Sequence, residues 1–156
     1  MSYDFNADDI FEMALQMERN GAEFYKNAAQ GPAADKHQDF LLDLARMEEA
    51  HEKTFAKLQK DLSGSEKAAT VFDPSGESTL YLKALVDTRV FFEKKIDVSS
   101  FKEILKAAIT AEKDSIVFYL GMKDLVPEKL GKDRIDEIIR EEMGHVRLLA
   151  KKLLNA

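Results

Sequence analysis

The sequence contains no cysteine. Disulfides, thiolate metal sites, a cysteine nucleophile and an iron–sulfur centre are therefore excluded from it. Proline (three) and glycine (seven) are scarce, so little interrupts helix formation. Positive charge is outweighed: 23 Lys and Arg stand against 29 Asp and Glu, for a formal charge of −6. No basic stripe is available to neutralise phosphates, which argues against nucleic acid as a partner. No apolar run approaches the ~20 residues that span a bilayer, so no membrane partner is expected. The opening residues, MSYDFNADDIF, lack the basic and apolar regions of a secretory signal, and a cytoplasmic location is expected.

What the chain does contain is helical periodicity. Its 156 residues suit a single domain, 1–156, with a sizeable core. Apolar residues recur at i, i+3, i+4 and i+7 in four segments: from about Asn6 to Gln30, Asp35 to Leu62, Ser100 to Asp124, and Lys132 to Leu154. Asn6 is a candidate N-cap, Gly31-Pro32 a stop, and Ser100 with Glu103 has capping-box spacing. Short connections imply two antiparallel hairpins, about 6–62 and 100–156. The long connection, 63–99, contains STLYLKALVDTRVFF, which reads as a short extra helix that is apolar almost all round. Such a helix covers the side of the bundle or joins a subunit interface, and a homodimer is expected. The fold class is all-α: a four-helix bundle of two repeated antiparallel hairpins with a long crossover.

The repeat carries the chemistry. Shifting the chain by 94 residues pairs Ile10–Lys57 with Ile104–Lys151, and eleven of these 48 pairs are identical. Among them are Glu18 with Glu112, Tyr25 with Tyr119, Glu48 with Glu142, and His51 with His145. Steps of three or four residues place each Glu on the apolar stripe of its helix, and each His one turn after a Glu. A buried carboxylate without a partner costs several kcal/mol. Four carboxylates carry −4 and two divalent cations carry +4, so two metal ions neutralise the set Glu18, Glu48, His51, Glu112, Glu142 and His145. This is the ligand constellation of di-iron and di-manganese carboxylate bundles. Two Glu are expected to bridge and two to bind terminally, with one His per metal. Oxygen and imidazole donors without sulfur suit iron or manganese, with zinc admitted by affinity. Off the stripes, Glu49 and Glu141 are expected to be solvated, Arg46 and Arg140 to pair at the surface, and Met13, Met17, Met47, Met122 and Met143 to fill gaps. His37, whose repeat partner is Gly131, is assigned to a helix end or to solvent.

These residues resemble the ferritin-like superfamily, and within it the rubrerythrin type, over the four main helices. The resemblance implies a bundle with a left-handed crossover that binds two iron ions at those six positions. It implies reduction of hydrogen peroxide or dioxygen, or oxidation of Fe(II). It also implies that Tyr25 and Tyr119 hydrogen-bond to the metal-site carboxylates. Two departures stand out. Peroxidase-type rubrerythrins carry a further glutamate where this chain has Ser115, which leaves a symmetric six-ligand set like that of bacterioferritin. A full rubrerythrin also has a Cys-rich electron-transfer domain, so here electrons are expected from an external donor, such as a rubredoxin-like protein, or from Fe(II). The leading expectation is a di-iron oxidoreductase. The alternatives are a ferroxidase-type iron-handling protein, for which the lack of a fifth helix argues against a storage shell, and a non-catalytic bundle stabilised by metal.

Overall fold

The computed structural model describes residues 7–62, 80, 98–125 and 131–156. Four long helices dominate them: α1 (Ala7–Gln30), α2 (Gln38–Lys60), α3 (Phe101–Leu125) and α4 (Lys132–Leu154). The helix starts follow local chemistry. Asp8 and Asp9 lie in the first turn of α1, where carboxylates oppose the positive end of the helix dipole. Ser100 caps α3, its Oγ accepting from the Glu103 backbone N–H at 3.1 Å. The last turn of α4 carries Lys151 and Lys152, the favoured charge at that end.

The second helix starts later than its periodicity predicts, at Gln38 rather than near Asp35. Pro32 opens a one-turn 3-10 helix, Pro32–Ala34, and the His37 N–H bonds back to Ala34 O at 2.8 Å. The tight turn uses up the residues that would otherwise have begun the helix. His37 takes the N-cap position of α2 without a side-chain cap, and its ring stacks on Phe101, centroids 3.8 Å apart. It is a helix-end residue, as expected. The Asn6 cap and, apart from residues 80, 98 and 99, the crossover with its short helix fall outside the described residues.

The α1–α2 and α3–α4 hairpins form the principal packing pairs, and α1 meets α3 and α2 meets α4 across the bundle. Salt bridges tie the outer faces: Arg19 to Glu52 at 2.8 Å, Lys26 to Glu49, and Lys123 to Asp136 at 2.6 Å. Lying at the surface and at least partly exposed, each contributes ~1 kcal/mol at most. Glu49 is thus paired rather than merely solvated. The core has two parts. One gathers Phe11, Leu15, Phe55, Phe118, Met122, Ile135 and Ile138; the other gathers Phe24, Leu41, Leu44, Ile104, Leu105 and Leu149. Met17 and Met122 are buried fillers as expected, but Met47 and Met143 are 41% and 42% exposed.

The α3–α4 connection ends on Gly131, whose φ of 112° is in the left-handed region. A Cβ here would also lie 2.8 Å from Leu58 Cδ2. Replacing Gly131 with alanine is therefore expected to destabilise the protein by about 1–3 kcal/mol through backbone strain and contact with Leu58. Chemical denaturation of the two proteins measures it.

Candidate metal centre

Between the two apolar cores lies a belt of polar side chains. Glu18, Glu48, His51, Glu112, Glu142 and His145 are each no more than 5% exposed. One carboxylate comes from each helix, as the repeat requires, and α2 and α4 add the imidazoles. Two groups of ligand atoms emerge, each within 4.8 Å of one another: Glu18, Glu48, His51 and Glu142, and Glu48, Glu112, Glu142 and His145. Glu48 and Glu142 belong to both. The structure thus brings all six sequence-selected residues together and distinguishes the shared carboxylates from the outer pair, Glu18 and Glu112.

Both imidazoles turn Nδ1 inward. His51 Nδ1 lies 3.0 Å from Glu142 Oε1, 3.5 Å from Glu18 Oε2 and 3.9 Å from Glu48 Oε2. His145 Nδ1 lies 3.0 Å from Glu142 Oε2, 3.4 Å from Glu112 Oε1 and 3.5 Å from Glu48 Oε1. The rings are nearly parallel, with centroids 5.7 Å apart. Each tyrosine reaches across to the other hairpin: Tyr25 donates to Glu112 Oε1 at 2.6 Å, and Tyr119 donates to Glu18 Oε1. The pairing expected of the two phenols is present, in a crossed form that follows the repeat symmetry. Ser115 is buried and spends its hydroxyl on the Ala111 carbonyl at 3.1 Å. At its repeat partner, Gly21, a Cβ would touch the Glu48 carboxylate at 3.5 Å, so the backbone of α1 approaches that side chain closely.

Crowding the carboxylates shifts their protonation. Burial, then Glu48 and Glu112, pushes Glu142 up to about 8. Burial and the charges of Glu112 and Glu18 hold Glu48 well above the usual range, and burial with Glu142 raises Glu18. Glu112 goes the other way. Burial opposes its ionisation, but the close approach of Glu142 and of the His145 imidazole outweighs that and brings it down to about 2. For His51, burial disfavours the cation, yet Glu142 and Glu18 outweigh that and raise it to about 12. His145 is likewise raised, against burial, by Glu112, Glu142 and Glu48. Burial and Glu112 raise the Tyr25 phenol, and burial and Glu18 that of Tyr119, so both remain donors at neutral pH.

Protons therefore provide a second form of compensation, which the stripe pattern alone does not reveal. Imidazolium at His51 and His145, with protons favoured on the raised carboxyls, offsets the charge of the cluster when no cation is bound. The sign of the linkage follows. Glu18, Glu48, Glu142, His51 and His145 hold protons more tightly folded than unfolded, so they stabilise the metal-free fold at low pH and lose that contribution as pH rises. Glu112, being lowered, loses its contribution only on acidification toward pH 2. Metal-free protein is thus expected to have its highest melting temperature near pH 4–5 and to soften steadily through pH 8, and metal should reverse that slope. Thermal melts across pH with chelator and with added divalent cation check both halves.

Proton balance does not satisfy the geometry. Glu18 Oε2, Glu142 Oε2 and His145 Nδ1 are buried without a hydrogen-bond partner among the described residues. The last two lie 3.0 Å apart but lack hydrogen-bond alignment. Orphaned buried atoms of this kind carry a desolvation cost of about 1–3 kcal/mol each. All three belong to the two four-residue groups and aim into them. A carboxylate–imidazole donor set with two shared members fits a di-metal site.

Sequence reasoning missed two residues. Glu141 lies beside the stripe and is largely exposed, yet its Oε2 reaches His51 Nε2 at 2.5 Å. Met47 Sδ lies 3.0 Å from His145 Nε2. The available signal was the repeat, in which positions 47 and 141 are partners.

Among the described residues, no helix is long and apolar enough to cross a membrane. A search among curated proteins finds no match. Among solved structures, a Thermotoga maritima protein provisionally described as a ferritin-like diiron-carboxylate protein superposes with a TM-score of 0.69 at 23% identity. The match covers 98% of this chain and 97% of that one, and it shows a shared ferritin-like four-helix fold. The family model for rubrerythrin matches residues 9–153. With nearly the whole length matched, the chain belongs to the rubrerythrin family.

Proposed function

We propose that this protein is a cytoplasmic non-haem di-iron oxidoreductase that reduces hydrogen peroxide or dioxygen. Glu48 and Glu142 would hold both ions, with Glu18 and His51 serving one position and Glu112 and His145 the other. The observation that carries this is the sharing of Glu48 and Glu142 between two buried four-residue groups. Donor chemistry favours iron or manganese over zinc, and a two-electron reduction favours iron. Two Fe(II) ions held there would supply a pair of electrons together with Lewis acidity. The protein's own residues do the rest. The cores on either side exclude bulk water, which strengthens every charge interaction between them. Tyr25 and Tyr119 orient the outer carboxylates and keep a proton at each phenol oxygen, the nearest fixed store for an oxidant accepting protons. Re-reduction is assigned to a separate donor, for which a rubredoxin-like protein has suitable chemistry.

Repeated peroxide or dioxygen consumption in the presence of a reductant tests the proposal, and a centre that reacts once without being re-reduced contradicts it. Tyr119→Phe is expected to change metal affinity less than ~10-fold while slowing single-turnover oxidation by ~100-fold or more, the range of a lost proton-transfer partner. Stopped-flow on the loaded variant measures this.

Ser115 favours a second reading. Its hydroxyl is committed to the helix backbone, among the described residues no seventh carboxylate joins the two groups, and the symmetric arrangement suits oxidation of Fe(II) with release of Fe(III). Retention of more than two irons per chain after oxidation, or their transfer to an acceptor, would favour that reading.

A further inference from the structure

Each histidine presents Nδ1 to the cluster and Nε2 to the outside, and the outer partners differ. His51 Nε2 meets a carboxylate oxygen of Glu141 at 2.5 Å. His145 Nε2 meets the thioether sulfur of Met47 at 3.0 Å. Residues 47 and 141 immediately precede the shared glutamates, Glu48 and Glu142, and are equivalent in the 94-residue repeat. Each imidazole is thus backed, from the opposite hairpin, by the same repeat position. That position holds an anion in one half and a neutral, weak acceptor in the other. The ligands themselves and the two phenols match: Glu18 with Glu112, Glu48 with Glu142, His51 with His145, and Tyr25 with Tyr119.

A carboxylate on the outer N–H of a ligating imidazole fixes its tautomer and makes the inner nitrogen a stronger donor, an effect of about 10–100-fold in metal affinity. Glu141 is 62% exposed, and solvent screening puts its effect near the lower end of that range. A thioether gives little of either benefit. The position served by His145 also lies beneath a surface groove lined by Met47, Glu141, Gly144, His145, Arg147 and Leu148, which offers an ion a short path to solvent. His51 does not line it.

We propose that the residue pair Glu141 and Met47 makes the two metal positions inequivalent: the one served by His51 holds a resident ion, and the one served by His145 holds a weaker, exchangeable ion. Glu141 is a positioning residue acting through His51. The inference rests on the di-metal reading of the cluster and goes beyond it by ranking the two halves.

The test is anaerobic titration of the 15N-histidine-labelled full chain with Co(II), read by NMR of the three imidazoles. His37, stacked on Phe101 away from the cluster, is the internal control. In the unmodified protein the His51 ring should respond at a Co(II) concentration about tenfold below that for His145, as expected of a lost outer partner. Exchanging the pair in one protein, Glu141→Met with Met47→Glu, should reverse the order. Both positions are largely exposed, so the exchange leaves the core untouched, and Glu141→Met alone should bring the two responses together. If both rings titrate in parallel, or the order survives the exchange, this inference is overturned while the di-metal reading stands. If neither ring responds, both are overturned.

Discussion

Replacing Glu142 with alanine is expected to abolish tight binding of both metal ions, whereas replacing Glu18 should weaken only one. The difference follows from topology. Glu142 belongs to both ligand groups, and Glu18 only to the group around His51. The two oxygens of Glu142 also face different imidazoles, each 3.0 Å from a ring nitrogen. Losing an outer-shell partner alone costs about 10–100-fold in affinity; losing a shared inner ligand should cost more than ~100-fold at each position. Competition with a chelator under anaerobic conditions measures it. In the metal-free protein the same substitution should cost much less, since it removes a carboxyl whose burial is unfavourable and whose pKa is already raised to about 8. If metal-free stability fell as far as metal-bound stability, Glu142 would be acting as a packing or ion-pair residue and the ligand assignment would fail.

Binding two divalent cations at pH 7 is expected to release at least two protons per chain, those of His51 and His145. The metal-free cluster holds protons on His51 and His145, and burial and crowding favour further protons on Glu18, Glu48 and Glu142. Metal ligation needs neutral imidazole and ionised carboxylate, so every protonated member of the set must give up its proton. Glu112, held near 2, is already ionised and contributes none. The sign is fixed by these directions: affinity rises with pH and collapses on acidification. Above pH 8 the count should drop as Glu142 loses its proton in the metal-free state. Calorimetry in buffers of different ionisation enthalpy gives the number. Release of fewer than about two protons would mean that the cation binds outside this cluster.

The site was legible in the sequence because the repeat marks it. Glu48 and Glu142, with His51 and His145 one turn on, interrupt otherwise apolar stripes, and only matched interruptions in both halves separate a ligand set from incidental charge. The helices were legible for the same periodic reason, except at the start of α2, where Pro32 sets up a 3-10 turn that hydrophobic spacing does not register. Glu141 and Met47 were not legible from the stripes. They lie off the buried face of their own helices, and their contacts with His51 and His145 depend on how closely α2 and α4 approach. Nor does charge counting on a sequence reveal proton compensation, which depends on the 3.0–3.9 Å separations between His51 Nδ1 and its three carboxylate neighbours.

Anomalous diffraction at the iron edge, from crystals loaded anaerobically with Fe(II), tests the central claim most directly. The account predicts two peaks per chain, both within coordination distance of Glu48 and Glu142, one beside His51 Nδ1 and the other beside His145 Nδ1. A single peak, or iron bound at surface carboxylates with the belt between the two cores left free, would contradict it.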